Sequence, residues 1–376
     1  MAYDLAIVGA GIVGLAHALA AARLRKRVVV IDRDAQANGA SVRNFGFVTV
    51  TGQEAGDCWQ MARRSRDIWR EIAEPAGIAI LQRGLVLAAR LPESEAVIEA
   101  FLATQMGEGC ERLTAAQAQA FVPCLRDSAA RLALYSPHEV RVESRQAVPR
   151  VARYLADHYG VDFRWSTSVA AVEAPRLVMA DGGLIEAETV VVCPGDEYTA
   201  LFPERIAAYG VTRCKLQMMR VVPAAPVALR TAVMSDLGLG RYLGYAALPE
   251  ARALTARLEA EMAAKRAHGI HLIVTQSADG SLVVGDSHHY AATPDPFGSS
   301  AVDDLILDEC DAVLDLPGRI VSERWIGSYA SAPGRWRFTD APSDAVRIVI
   351  VTAGCGASTA FAIGEETIAN LYGRAA

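Results

Sequence analysis

Tyr3-Asp4-Leu5-Ala6-Ile7-Val8-Gly9-Ala10-Gly11-Ile12-Val13-Gly14 decides how the rest of the chain is read. A short apolar run, the length of a buried strand, ends on glycines spaced G-x-G-x-x-G, and an alanine-rich helical run follows to about Leu24. Arg27–Ile31 is a second apolar strand that stops at Asp32. Strand, glycine loop, helix, strand and acid fall within about thirty residues, the size of one βαβ unit. Gly9 permits the tight turn, Gly11 lets the backbone approach a pyrophosphate, and Gly14 lets helix and strand pack closely. The helix N-terminus, at Ile12 and Val13, offers N–H groups to an anion. Asp32, followed by Arg33, can accept from ribose hydroxyls and would repel a 2′-phosphate. The stretch therefore points to a dinucleotide lacking that phosphate.

The end of the chain returns to the same theme. Val346–Thr352 reads as a strand, Ala353–Ala357 as a glycine loop, and Ser358–Tyr372 as a helix. Only one full fingerprint is present, and Gly354-x-Gly356 opens a second helix, so the choice tilts from NAD to FAD. A helix N-terminus at the pyrimidine edge of a flavin stabilises the anionic reduced ring. Between the two ends, helices are predicted at about 54–76, 92–107, 114–120, 143–159, 250–267 and 299–314. Strands are predicted at 162–165, 211–222 and 270–285. Val169–Val172, Arg176–Ala180 and Leu184–Ala187 read as a small antiparallel meander, followed by a buried strand, Thr189–Cys193.

Composition narrows the class. The chain has 376 residues, 52% hydrophobic and 21% charged, a globular mixture. With 37 basic against 43 acidic residues it carries a net charge of −6, which argues against nucleic acid or an anionic membrane as partner. Seven cysteines (58, 110, 124, 193, 214, 310 and 355) are scattered with no CxxC pair, so reduced thiols, no metal and a cytoplasmic location are expected. Asp4 and the interrupting glycines speak against a signal peptide.

Gly9–Gly14, Asp32, Ser41–Gly46, Thr189–Gly195 and Gly354–Thr359 together resemble the FAD-dependent amine oxidoreductases related to D-amino-acid, glycine and sarcosine oxidases. More narrowly, Ser41–Gly46, Val211–Arg220 and Gly285–His288 are similar to a branch associated with bacterial phosphonate breakdown. The resemblance implies an α/β architecture: a Rossmann-like FAD-binding domain with an interleaved α+β substrate domain built on an antiparallel sheet. Residues 1–80, 140–205 and 320–376 would form the first, and residues 81–139 and 206–319 the second. It further implies that Ser41, Arg43 and Asn44 run past the ribityl chain and ring. Val169 would meet the adenine through its backbone and Gly195 would lie beside the cofactor, with Gly354, Gly356, Ser358 and Thr359 facing the pyrimidine end.

The implied reaction oxidises an N-alkylated 2-aminoethylphosphonate, such as the N-methyl form, by hydride transfer to flavin N5. The products would be phosphonoacetaldehyde and an alkylamine, with molecular oxygen reduced to hydrogen peroxide. Glycine-oxidase-type relatives carry a carboxylate-binding arginine after a Trp-x-Gly turn, where this chain has Tyr329. Sarcosine-type relatives tether FAD through a cysteine, and none lies between Cys310 and Cys355, so non-covalent FAD is expected. A phosphonate needs several convergent donors. Arg213 and Lys215 share one strand face, and Arg241, Tyr242 and Tyr329 are further candidates for substrate binding. Lys215, Tyr329 and His288 are the expected catalytic side chains, Lys215 by steadying superoxide. Of His288 and His289, adjacent on an extended chain, at most one can face the flavin, and His271 reads as a core histidine. The alternatives are an amino-acid oxidase, an amine dehydrogenase using another acceptor, and a non-enzymatic FAD-binding module.

Overall fold

The computed structural model describes residues 2–373 and contains two sheets. In the first, Val346–Val351, Leu184–Val192, Tyr3–Val8, Val28–Ile31 and Asp162–Arg164 lie in that order, all parallel, with Arg337–Ser343 antiparallel at one edge. Leu5, Ala6, Ile7 and Val190–Val192 are fully buried, because helices cover one face and smaller strands the other. Burial on both faces explains why these strands read as unbroken apolar runs. The meander Val169–Glu173 and Arg176–Met179 pairs onto the start of Leu184–Val192. The two strands expected at 184–187 and 189–193 are one, since no turn residue separates Glu186 from Thr189.

Helix Ile12–Arg23 packs directly on helix Gly356–Tyr372. Their backbones nearly touch: a Cβ placed on Gly364 would lie 2.7 Å from the Ala16 backbone. This contact sets the two helix N-termini side by side.

The second sheet has ten strands and is mainly antiparallel. Its long members are Ile80–Ala89, Leu132–Val142, Thr212–Val222 and Ile320–Ser331, the last two paired along their length. Ile320–Ser331, which the sequence grouped with the first layer, is thus hydrogen-bonded into the second. The single strand expected over 270–285 is a hairpin, Ile273–Gln276 and Leu282–Gly285, turned where Gly280 adopts φ +85°. Beyond its ladder, His271 and Asp286 exchange backbone hydrogen bonds at 3.4 and 3.1 Å, so they are cross-strand neighbours. The helix expected over 250–267 is broken into Ala251–Glu261 and Ala263–Ala267. No helix among the described residues is long and apolar enough to cross a membrane, and all seven cysteines are free thiols.

Candidate active site

One deep cavity lies where the two sheets meet. Its floor is the glycine loop. Gly9 sits at φ +105°, and a Cβ there would fall 2.3 Å from the Cys193 carbonyl oxygen; one on Gly14 would fall 1.9 Å from the Gly9 carbonyl. Only glycine fits either place. Gly11, Ile12, Val13 and Gly14 line the cavity, and Ser41 Oγ accepts from the Ile12 N–H at 2.9 Å, tying the following loop to the helix start. Asn44 pins that loop: its amide donates to Ala40 O at 2.7 Å while its oxygen accepts from Gly46 N at 2.7 Å and Ser144 Oγ at 2.8 Å. Ser41, Arg43, Asn44, Gly195, Gly354 and Gly356 also reach the cavity. It runs from one helix N-terminus to the other, two positive dipole ends facing one space. An elongated, pyrophosphate-bearing dinucleotide fits this glycine-lined cradle.

Other expected cofactor residues lie outside the wall. Asp32 accepts from Ala10 N at 2.6 Å and Asp34 N at 2.9 Å, bracing the loop from behind. Arg33 is 3.6 Å from Glu197 in an exposed pair. Val169 stays on the meander. Ser358 and Thr359 are buried and turned away: Ser358 Oγ lies 3.1 Å from Thr49 Oγ1, and Thr359 donates to the Cys355 carbonyl at 2.9 Å.

The opposite wall comes from the second sheet. Tyr329 reaches it because Gly327 lets its strand abut the 41–46 loop; a Cβ on Gly327 would lie 3.0 Å from Arg43 O. Arg241 donates to Tyr290 Oη at 3.1 Å, and Tyr242 Oη stands 3.3 Å from His271 Nε2. Burial pushes the Tyr242 and Tyr329 phenols well above their usual range, so both stay protonated. Asp286 lies between His271 Nδ1 at 3.4 Å and His288 Nε2 at 3.7 Å. Burial, partly opposed by Arg241, raises the Asp286 carboxyl to about 7. Burial and the Arg241 charge hold both imidazoles well below 6.5, hence neutral.

Lys215 and Arg213 do not join this wall. Leu216 and Met218 face the cavity, so strand alternation turns Lys215 to the other side, where it donates to Phe297 O at 2.9 Å. Arg213 stacks 4.5 Å over Tyr198 and donates to Asp196 O at 3.0 Å and Ala292 O at 2.9 Å. His288 faces the cavity while His289 turns outward to His268, 2.9 Å away. His271, read from sequence as a core residue, is buried yet lines the cavity with Asp286, which sequence reasoning passed over. Cys58, Cys193 and Cys355 also line the cavity, the Cys193 sulfur lying 3.9 Å from His17 Nδ1. The Gly285-Asp286-Ser287-His288 stretch was the available signal, but its partner across the hairpin was not.

The chain matches the family described as FAD dependent oxidoreductase (DAO) over residues 4–370. A glycine oxidase of Geobacillus kaustophilus is 26% identical over 206 residues, 51% of this chain and 54% of that protein. The chain thus spans about half the length of the curated relative it matches. The structure of glycine oxidase from the same organism superposes with a TM-score of 0.79 at 19% identity, covering 100% of this chain and 95% of the other. An L-proline dehydrogenase from P. horikoshii gives 0.79 at 18% identity, covering 99% and 93%. An iminodiacetate oxidase from Chelativorans sp. BNC1 gives 0.73 at 18% identity, covering 99% and 96%.

Proposed function

The chain belongs to the DAO family of FAD-dependent oxidoreductases, and from that premise we propose that it oxidises an N-alkylated 2-aminoethylphosphonate, such as the N-methyl form, in the cytoplasm. Substrate, oxygen and water give phosphonoacetaldehyde, an alkylamine and hydrogen peroxide. The observation that carries the reading is one wall of donors: the Arg241 guanidinium with the hydroxyls of Tyr242, Tyr290 and Tyr329 beside one cavity. A phosphonate presents three acceptor oxygens and up to two negative charges, which such a set can meet. The similarity of Ser41–Gly46, Val211–Arg220 and Gly285–His288 to the phosphonate-associated branch supports the same reading.

FAD, bound without a covalent tether along Gly11–Gly14, Ser41–Asn44 and Gly354–Gly356, supplies the two-electron acceptor. The protein's own part is to orient the amine's α-carbon toward it and to keep the nitrogen unprotonated. Arg241 and the tyrosines fix the anionic end and so set which C–H points inward. Leu216 and Met218 give that part of the wall an apolar surface.

A second reading, oxidation of a small amino acid, rests on the likeness to glycine oxidase and on the same guanidinium, which pairs with carboxylate as well as with phosphonate. An anaerobic bleaching screen separates the two. N-methyl-2-aminoethylphosphonate should reduce the flavin faster than glycine, sarcosine or any D-amino acid. Faster bleaching by an amino acid would replace the first reading with the second. Reduction that is fast while reoxidation by oxygen is slow would identify a dehydrogenase.

A further inference from the structure

Two imidazoles and a carboxyl group converge on one buried point. The hairpin register makes His271 and Asp286 cross-strand neighbours, and His288 follows two residues on. One nitrogen of each imidazole and a carboxylate oxygen lie within 4.8 Å of one another. His288 Nδ1 is 3.0 Å from the Gly269 carbonyl, which can only accept, so that nitrogen carries the proton. The bare lone pair of Nε2 is left facing Asp286 Oδ2 at 3.7 Å. Asp286 Oδ1 and His271 Nδ1 have no hydrogen-bond partner, although both residues are more than nine-tenths buried. The His288 Nε2 lone pair and the ionised Asp286 carboxylate are buried acceptors this close together, and a donor entering between them would satisfy both. All three residues line the cavity, next to the Arg241 end.

A secondary ammonium is a cation with two N–H donors. We propose that His271, Asp286 and His288 form the cation subsite of this cavity, which receives the substrate's ammonium and passes one of its protons to Asp286. The N–H bond breaks, an O–H bond forms on the carboxylate, and the electron pair stays on nitrogen, leaving the neutral amine that oxidation requires. His288 Nε2 accepts the second N–H and holds the nitrogen in place. Arg241, engaged with Tyr290, serves the opposite charge of the zwitterion.

The surroundings suit a proton acceptor working near neutrality. The groups around Asp286 are Arg241, whose charge favours the carboxylate, and the neutral His271, His288, Tyr242 and Cys214, with Tyr290 and Tyr329 in the same cavity wall. Burial dominates, so the carboxyl titrates near 7 and is free to take a proton above that. This inference rests on the amine-oxidation reading.

The test uses the FAD-loaded enzyme and Asp286→Asn, with FAD content and melting temperature confirming that the variant folds. Flavin reduction by the fastest amine should slow by about 10²–10⁴-fold, the usual range for a lost general base. The acidic limb of its pH profile, centred near 7 in the parent, should disappear. A second readout needs no turnover. In pre-reduced anaerobic enzyme, calorimetry should show N-methyl-2-aminoethylphosphonate binding at least about tenfold more weakly to the variant, and propylphosphonate binding equally to both. His288→Gln should show the same pattern with a smaller loss. Equal losses on both ligands would make the cluster structural and overturn the proposal. So would an unchanged pH limb, or stoichiometric zinc or cobalt retained by the parent and lost from Asp286→Asn. If no amine reduces the flavin, the amine-oxidation reading fails first; if an amine does and Asp286→Asn matches the parent, only the subsite fails.

Discussion

In the proposed reading, Arg241 is the side chain that holds the anionic end of the substrate. A charge-assisted pair contributes about 1.5–3 kcal/mol, so Arg241→Met should lower kcat/KM on an aminophosphonate by about ten- to a hundredfold. A neutral secondary amine, which never uses the contact, should lose far less. Similar losses on both would move the anion site elsewhere. Asp286 and His17 make a second, pH-dependent pair of expectations. Asp286 has a folded pKa raised by burial to about 7. Its contribution to stability is therefore fully present below the unfolded value of about 3.9 and is lost as pH rises through about 7. His17, which burial lowers to about 4, contributes above about 6.5, and that contribution is lost as pH falls toward 4. Asp286→Asn should therefore melt higher than the parent above neutrality, and the gain should vanish in acid. A gain constant with pH would mean the carboxyl is not the cause. Lys215 shows why these residues were hard to read. Alternation along its strand was legible, and so was its sharing a face with Arg213. Which of the two faces meets the cavity depends on the helix Ser300–Val313 and the loop at Phe297, far along the chain. Nothing local to Lys215 carries that information.

Elements whose reasons are local were read well. The glycine loop, its helix and the closing strand–loop–helix each contain their own signals, and each stands within a few residues of its expected place. The hairpin at 273–285 was misread because its apolar strands run almost together, and the Asp279-Gly280 turn signal between them was given too little weight. Ile80–Ala89 and Leu132–Val142 went unread, the first an apolar run without clean alternation, the second interrupted by Pro137. The close helix contact makes a prediction at this scale. Gly364→Val must push the Gly356–Tyr372 helix off Ala16, an overpacking that costs about 1–3 kcal/mol. It should lower the melting temperature and weaken FAD retention although residue 364 is remote from the cavity wall. Gly11→Val, whose Cβ would meet Ser41 Oγ at 3.0 Å, should abolish loading with a smaller loss of stability in the apoprotein. Normal loading of both variants would mean that the two helix ends do not form the cradle.

At the scale of the molecule, family and two-sheet architecture were legible, while the junction between the sheets was not. The strand Ile320–Ser331 belongs to the second sheet, and the chain returns to the first only at the Arg337–Ser343 and Val346–Val351 strands. Cys58, Cys193 and Cys355 line the cavity although none of them stands at the tethering position of sarcosine-type relatives, so the absence of a tether calls for a direct measurement. Acid precipitation should leave a colourless pellet and release intact FAD into the supernatant. Yellow colour retained in the pellet would assign a covalent bond, with Cys58, Cys193 and Cys355 as the thiols to map.

The contact between Ala16 and Gly364 has one further consequence, for the order in which the protein is made. The fingerprint loop is made before both of its closing partners. Its parallel neighbour Leu184–Val192 follows it, and the helix Gly356–Tyr372 that completes the cradle follows both. A growing chain therefore carries the pyrophosphate loop through the synthesis of all the residues in between with its cradle open. Flavin capture has to wait until Gly356–Tyr372 has been made and can pack on Ile12–Arg23.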